Sequence, residues 1–290
     1  MTLAYWNGQF LPLETVQVSP LDRGYLFGDG VYEVLIAYNG QAFEAEAHFE
    51  RLERSMNALQ LTGGPDSALL REITRRLLAS CFDETKSDAM TLYIQVTRGA
   101  ETARRHDFPK TAAPCVLAFA TPLKRITAER YAKGFSTVSA PDRRWLMGDV
   151  KSISLAGAIL AHHQADQAGA LECILLRDGL VTECSSSNVF IVKDGVIITS
   201  VADNRILNGI SRRVVLRLAH ENGWPAIERD FTEEELRQAD EIWVTSTSKE
   251  VAPAVTLDGK AVGEGAPGPV WRKMRAAFDL LIDQTAKRNS

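Results

Sequence analysis

The hydrophobic pattern of the first third of the chain reads as strands, then helices, then a strand. In VYEVLIAYNGQAFEA, apolar runs flank Asn39-Gly40, a dipeptide suited to the left-handed backbone of a tight hairpin, so two paired strands are predicted. The period then lengthens. HFERLERSMNALQL places Phe49, Leu52, Met56 and Leu59 on one helical face, with Arg51 and Arg54 offset from it. SALLREITRRLLASCF predicts a second amphipathic helix, capped near Asp66 or Ser67. Period two returns in AMTLYIQVTRG and APCVLAFATPL, strands on either side of a charged loop, GAETARRHDFPKTA.

Residues 121–130, TPLKRITAER, carry charges and a proline between two apolar runs and read as the crossing between two domains, 1–120 and 131–290. The second domain mixes its elements. A small-residue helix over about 152–168 ends at Gly169. Strands follow, with Asp178-Gly179 and Asp194-Gly195 as hairpin turns. NGISRRVVLRLAHENG is a helix between glycines, and FTEEELRQA opens with a Thr-x-x-Glu capping box. EIWVTSTSKEVAPAV is a strand that breaks at a Ser/Thr turn, and a last helix aligns Val270, Met274, Phe278 and Leu281. The fold class is α+β.

Composition narrows the functional classes. The 290 residues, 45% hydrophobic, suffice for a large core. A formal charge of −4 gives no basic footprint for nucleic acid or an anionic membrane, and no stretch approaches a membrane span. Four widely spaced cysteines without a CxxC pair, and a start without a signal-like segment, predict a reduced, cytoplasmic protein. The five histidines make no HExxH, and adjacent His162 and His163 point to different sides of a helix, so no metal site is expected.

Five elements carry candidate chemistry. RWLMGDVKSISLAGAIL sets Lys151 between an apolar-rich approach (Trp145, Leu146, Met147, Val150) and small and aliphatic residues. Either its ammonium snorkels to water, or burial lowers its pKa so that the amine attacks a carbonyl. In LVTECSSSNVF, Glu183 interrupts a strand and must be exposed or find a cationic partner, for which a protonated ring nitrogen would serve. In LNGISRR, Gly209 permits an unusual backbone before a helix, where the amides of Ile210 and Ser211 could cradle a phosphate. VTSTSKE offers hydroxyls and amides at a strand break. Arg104 and His106 of RRH form either a solvated basic loop or a carboxylate clamp. A lysine amine, a carboxylate, a phosphate cradle and a clamp together describe pyridoxal 5′-phosphate bearing an amino acid.

DRGYLFGDGVYEV, HFERL, TRG…RRHDFP, DVKSISLAGAILA, VTECSSSNVF, ILNGISR and VTSTSKEVAPAV, in this order, resemble the D-amino acid transaminases. These belong to the fold-type IV pyridoxal-phosphate enzymes, with the branched-chain aminotransferases and aminodeoxychorismate lyases. The resemblance implies a small α/β N-terminal domain carrying the substrate clamp and a larger mixed α/β, pseudo-barrel domain holding the cofactor. It implies that Lys151 forms the internal aldimine and moves a proton, and that Glu183 pairs with the pyridine nitrogen. Arg51, the amides of Ile210 and Ser211 and the Ser246-Thr247 turn would hold the phosphate, and Leu207 would support the ring. Tyr32, Arg104 and His106 would bind the α-carboxylate, with Val34 and Ser186 lining the pocket.

The implied reaction is transamination between a D-amino acid such as D-alanine and a 2-oxo acid such as 2-oxoglutarate. The implied assembly is a homodimer in which RRH serves the partner's cofactor. The sequence departs from the family pattern at Cys184, where glycine is usual, at Ser211, where threonine is common, and in a slightly longer stretch before RRH. The rivals within the family are a branched-chain L-amino acid aminotransferase and an aminodeoxychorismate lyase. From other classes, Lys151 with Ser185, Ser186 and Ser187 would make a serine–lysine hydrolase, which leaves Arg51 and Glu183 without roles. A non-enzymatic binding protein ranks below the hydrolase.

Overall fold

The computed structural model describes residues 1–110 and 113–287, so the last two residues of the charged loop read at 99–112 lie outside the described residues. The chain forms two compact units. The first comprises Met1–Lys124, Val150–Leu155 and the described residues from Gln284 on; the second comprises Arg125–Asp149 and Ala156–Asp283.

The first unit runs β1 (Leu3–Trp6), β2 (Gln9–Pro12), α1 (Arg23–Phe27), β3 (Gly30–Tyr38), β4 (Gln41–Ala42), α2 (Ala45–Ala58), α3 (Ser67–Thr85), β5 (Ala89–Thr97) and β6 (Cys115–Pro122). Its strands form one antiparallel sheet in the order β2-β1-β6-β5-β3-β4. The Asn39-Gly40 turn stands where the sequence predicts it, with φ of 47° and 79°. Asn7-Gly8 makes the same left-handed turn between β1 and β2. Asp66 caps α3 through the Leu69 amide. Val31, Leu35, Leu92 and Ile94 of the sheet share one core with Phe49 and Leu52 of α2 and Ile73 and Leu77 of α3. Alternation along β3 leaves Tyr32 and Val34 half-buried on the opposite face.

The second unit runs α4 (Ala128–Lys133), β7 (Phe135–Pro141), α5 (Ala156–Gln167), β8 (Glu172–Arg177), β9 (Leu180–Cys184), β10 (Asn188–Lys193) and β11 (Val196–Thr199). It continues with α6 (Ile210–Glu221), β12 (Ala226–Glu228), α7 (Glu233–Arg237), β13 (Glu241–Ser246), β14 (Glu250–Leu257), β15 (Lys260–Ala261) and α8 (Pro269–Ala286). A mixed sheet, ordered β12-β11-β10-β13-β14-β7-β8-β9 with β15 beside β14, curls into a half-barrel. The Asp178-Gly179 and Asp194-Gly195 hairpins and the Thr232–Glu235 capping box form as the sequence predicts.

The division between the units, at Lys124 and Arg125, falls inside the expected crossing 121–130, of which 121–122 finish β6 and 128–130 start α4. Three expectations are corrected. The helix expected over 152–168 starts at Ala156, because the preceding residues spend their backbone groups on the first unit. Tyr32 N donates to Lys151 O at 3.0 Å, Ile153 N to Gly30 O at 3.1 Å, and Lys151 N to Ser55 Oγ at 3.1 Å. Val150–Leu155 therefore leaves the span 131–290 and joins the first unit. On α8, Val270 and Leu281 are only half-buried; Trp271 and Ile282 complete the stripe of Met274 and Phe278, a helical spacing shifted by one residue.

Candidate active site

Lys151 is half-buried. Its backbone is fixed on both sides by the bonds to Ser55 and Tyr32, and its ammonium lies 4.3 Å from the centre of the Tyr32 ring. Of the apolar approach, Val150 is buried, while Trp145, Leu146 and Met147 are exposed. Its neighbours come instead from β3 and α2. The Tyr32 ring packs 5.9 Å from Tyr93, which packs 5.4 Å from Phe119, so an aromatic row lies along the half-buried face of the sheet. Burial pushes the Tyr93 hydroxyl up to about 12, and it donates to Gln95 Oε1 at 2.6 Å. Val34 pairs with Tyr93 across β3 and β5.

Arg51, expected to stand offset from the apolar helical face, is buried. Its guanidinium grips Glu33 with Nε–Oε1 at 2.7 Å and Nη2–Oε2 at 2.8 Å, while His48 Nδ1 lies 2.7 Å from Oε2. Complete burial alone would raise the Glu33 carboxyl, but Arg51 and then His48 hold it well below the ordinary carboxylate range. Burial pushes His48 below its ordinary value, so a neutral imidazole donates Nδ1–H to the carboxylate. Glu33 had a signal in sequence: an acidic residue between Val31 and Leu35 on the core face of a strand must have a partner.

Arg104 and His106 are exposed on the charged loop, beside one ring. The Phe27 centroid lies 4.8 Å from the Arg104 guanidinium carbon and 5.3 Å from the His106 ring.

In the second unit Glu183 does not interrupt a strand; it lies within β9, and it is buried. The cationic partner that its burial demands is Arg144, which hydrogen-bonds to Oε1. Oε2 accepts from Asn188 Nδ2 at 3.0 Å and from the Leu207 amide at 3.1 Å. Burial opposes the charge on Arg144, but Asp142 and Glu183 keep the guanidinium firmly protonated. Gly209 has an ordinary φ of −62°, contrary to expectation. Its need is space: a Cβ there would stand 2.1 Å from Asn188 Oδ1. As N-cap it offers no side-chain acceptor to the first turn of α6, where Ile210 and Ser211 are buried.

Next to these, fully buried Glu172 gathers the serine run. Ser186 Oγ donates to Oε2 at 2.9 Å and Ser187 Oγ at 2.7 Å, and Ser185 also bonds to the carboxylate. Lys249 Nζ donates to Glu172 at 3.0 Å and to Ser186 Oγ at 2.9 Å, and its amide donates to Ser246 Oγ at 3.2 Å at the Ser246-Thr247 turn. Burial would raise the Glu172 carboxyl; Lys249 and the hydroxyls lower it below its ordinary value. Arg144 and Lys249 lie 39 and 77 positions from their carboxylates, and no local pattern announced them.

In their chemistry, groups that the two units offer separately suit an aldehyde cofactor with an anionic tail and a basic ring nitrogen. The first unit offers a held amine at Lys151; the second offers a carboxylate at Glu183, paired with Arg144, and on α6 a first turn of amides with no side-chain cap.

The amino-transferase class IV family model matches residues 30–257. The chain is 41% identical over 276 residues to the D-alanine aminotransferase of Listeria monocytogenes serotype 1/2a (strain 10403S), covering 94% of this chain and 93% of that one. It is 39% identical over 283 residues to the D-alanine aminotransferase of Bacillus licheniformis, covering 97% and 98%. Among solved structures, the branched-chain aminotransferase of the thermophilic archaeon Thermoproteus uzoniensis with norvaline superposes with a TM-score of 0.86 at 25% identity, covering 100% and 97%. The chain belongs to the class IV aminotransferases.

Proposed function

We propose that this chain is a pyridoxal-phosphate-dependent D-amino acid transaminase, moving the amino group of a donor such as D-alanine to a 2-oxo acid such as 2-oxoglutarate. The observation that carries the reading is the presentation of Lys151: a lysine tied through both backbone groups, its amine against an aromatic ring. Lys151 would hold the cofactor. Arg51, the amides of Ile210 and Ser211, and Ser246 with Thr247 would hold its phosphate, Leu207 would support its ring, and Glu183 would face its ring nitrogen. When bound, pyridoxal phosphate supplies an electron sink for the charge left by removal of the substrate Cα proton.

The residues do the rest. Glu183, hydrogen-bonded by Arg144, Asn188 and the Leu207 amide, would favour the protonated ring nitrogen. Lys151 Nζ would take the proton from the substrate Cα and give it back two bonds away, across the substrate nitrogen, with no cost of bringing a base to the substrate. Tyr32, Arg104 and His106 would bind the α-carboxylate, Val34 and Ser186 would line the pocket, and the clamp would fix which face of Cα is turned toward Lys151, so that only one enantiomer presents its hydrogen there. That selects the D-enantiomer.

We place the enzyme in the cytoplasm as a homodimer whose Arg104–His106 loop serves the partner subunit's site. Free cysteines support the reduced compartment. Exposed Tyr25 and Phe108 in the first unit, and Leu146, Ile159 and Leu160 in the second, support association of copies. Among the described residues no helix is long and apolar enough to cross a membrane.

Rates with D-alanine and with L-leucine, each with 2-oxoglutarate, test the reading. Pyruvate from D-alanine is expected; turnover of leucine alone would make the chain a branched-chain L-amino acid aminotransferase. Borohydride should bleach the holoenzyme and leave reduced cofactor on Lys151, and Lys151→Ala should abolish turnover.

A further inference from the structure

The clamp residues Arg104 and His106 sit on an exposed loop, yet a carboxylate clamp needs a fixed fork. Directly beneath them lies buried Arg23, the arginine of DRGYLFGDG, to which the mechanism assigns no role. Its guanidinium reaches three successive backbone carbonyls of the loop. Nη1 donates to Arg105 O at 2.7 Å and to Asp107 O at 3.1 Å, and Nη2 to His106 O at 3.4 Å. The remaining nitrogen, Nε, donates to Asp29 Oδ2 at 2.8 Å.

Asp29 is itself held. Arg98 grips its two oxygens at 2.8 and 3.0 Å and donates to Leu59 O at 2.7 Å and Gln60 O at 3.0 Å, at the end of α2. Arg98 also lies 4.0 Å from the centre of the Phe108 ring, at the far side of the same loop. Phe27 completes the arrangement. Its ring lies 5.0 Å from the Arg23 guanidinium and beside both clamp side chains. A planar fork with several donors is the one side chain that can serve a carboxylate and a row of carbonyls together.

We propose that Arg23 is a positioning residue for the carboxylate clamp, with Asp29, Arg98 and Phe27 as its support. The proposal rests on reading Arg104 and His106 as that clamp. Arg23 touches no substrate; it fixes the backbone from which the clamp side chains rise. Arg23→Lys keeps the charge beside Asp29 and loses the fork.

The test uses the holoenzyme. In the Arg23→Lys enzyme, hydrogen–deuterium exchange of the peptide covering 101–110 should accelerate. KM for D-alanine should rise about ten-fold with kcat changed less than about two-fold, the mark of lost ground-state binding. Arg104→Ala should raise the same KM, and Arg23→Lys added to it should raise it little further, because the two act through one contact. Unchanged exchange in Arg23→Lys overturns the proposal, as does faster exchange with an unchanged KM. An unchanged KM in Arg104→Ala sinks the clamp reading itself and the proposed role with it, while the exchange data still report on the anchor separately. Should Arg23→Lys not fold, the unmodified holoenzyme decides: amides of 105–108 should exchange more slowly than those of 101–103, and equal, rapid exchange refutes the anchor.

Discussion

Glu33 shows how one side chain can commit a whole neighbourhood. It sits on the core face of β3, between Val31 and Leu35, because Arg51 and His48 meet it there. Glu33→Gln keeps the shape but strands the buried Arg51 charge, and unfolding by urea should show a loss of about 3 kcal/mol. A loss below about 1 kcal/mol would mean that the pair is not compensating burial. Arg144 commits Glu183 in the same way. Arg144→Gln should weaken retention of pyridoxal phosphate about ten-fold, equivalent to about 1.4 kcal/mol, in equilibrium dialysis with the fold intact by circular dichroism. Tight cofactor binding in that variant would remove Arg144 from the account. At this scale the sequence announced chemical types better than partners. The motifs around Lys151 and Glu183 marked candidate groups, but Arg144 reaches Glu183, Lys249 reaches Glu172 and Arg23 reaches the carbonyls of 105–107 across loops, where no periodicity links donor to acceptor.

Elements were legible where their signal is local. Asn39-Gly40, Asp178-Gly179 and Asp194-Gly195 all turn with positive φ at both residues, a requirement written into the dipeptide. Asn7-Gly8 and Asp258-Gly259 carry the same mark and turn in the same way. The start of α5 was not legible, because residues 151–155 are helix-compatible by themselves and are held out of the helix by bonds to Gly30, Tyr32 and Ser55. The Gly209 start of α6 was found for the wrong reason: it is close approach, not dihedral freedom, that requires glycine. Gly209→Ala should therefore push Asn188 from Glu183 and Leu207 O and weaken cofactor binding several-fold, while thermal unfolding of the apoenzyme moves little. A large fall in apoenzyme stability instead would place the glycine's role in packing.

Across the molecule, buried carboxylates set the response to acid. Glu33 in the first unit, and Glu172 and Glu250 in the second, are all held below the ordinary value of 4.5, against burial, by Arg51, Lys249 and Arg275 in turn. The unfolded chain takes up protons first, so their stabilisation is complete above about pH 4.5 and is lost as pH falls below it. His48 acts in the same sense at higher pH. Because it is held below 6.5 when folded, protonation of the unfolded chain begins to erode stability as pH drops through 6.5. Urea midpoints should therefore fall between pH 7 and 5 and more steeply below 4.5, and His48→Gln should flatten the upper limb alone. A midpoint that rises on acidification would contradict the assigned directions.

β3 divides two tasks between alternate positions. Because Val31, Glu33 and Leu35 serve the core while Tyr32 and Val34 face the other way beside Tyr93, the proposed pocket at 32 and 34, with its neighbour at 93, can be retuned by descent with modification without touching what keeps the domain intact. A lineage exploring new donors would do so along one face of two paired strands, β3 and β5. A randomised library at 34 and 93 should consequently yield many folded members that differ in preferred amino acid, whereas one at 33 and 35 should yield few that survive expression.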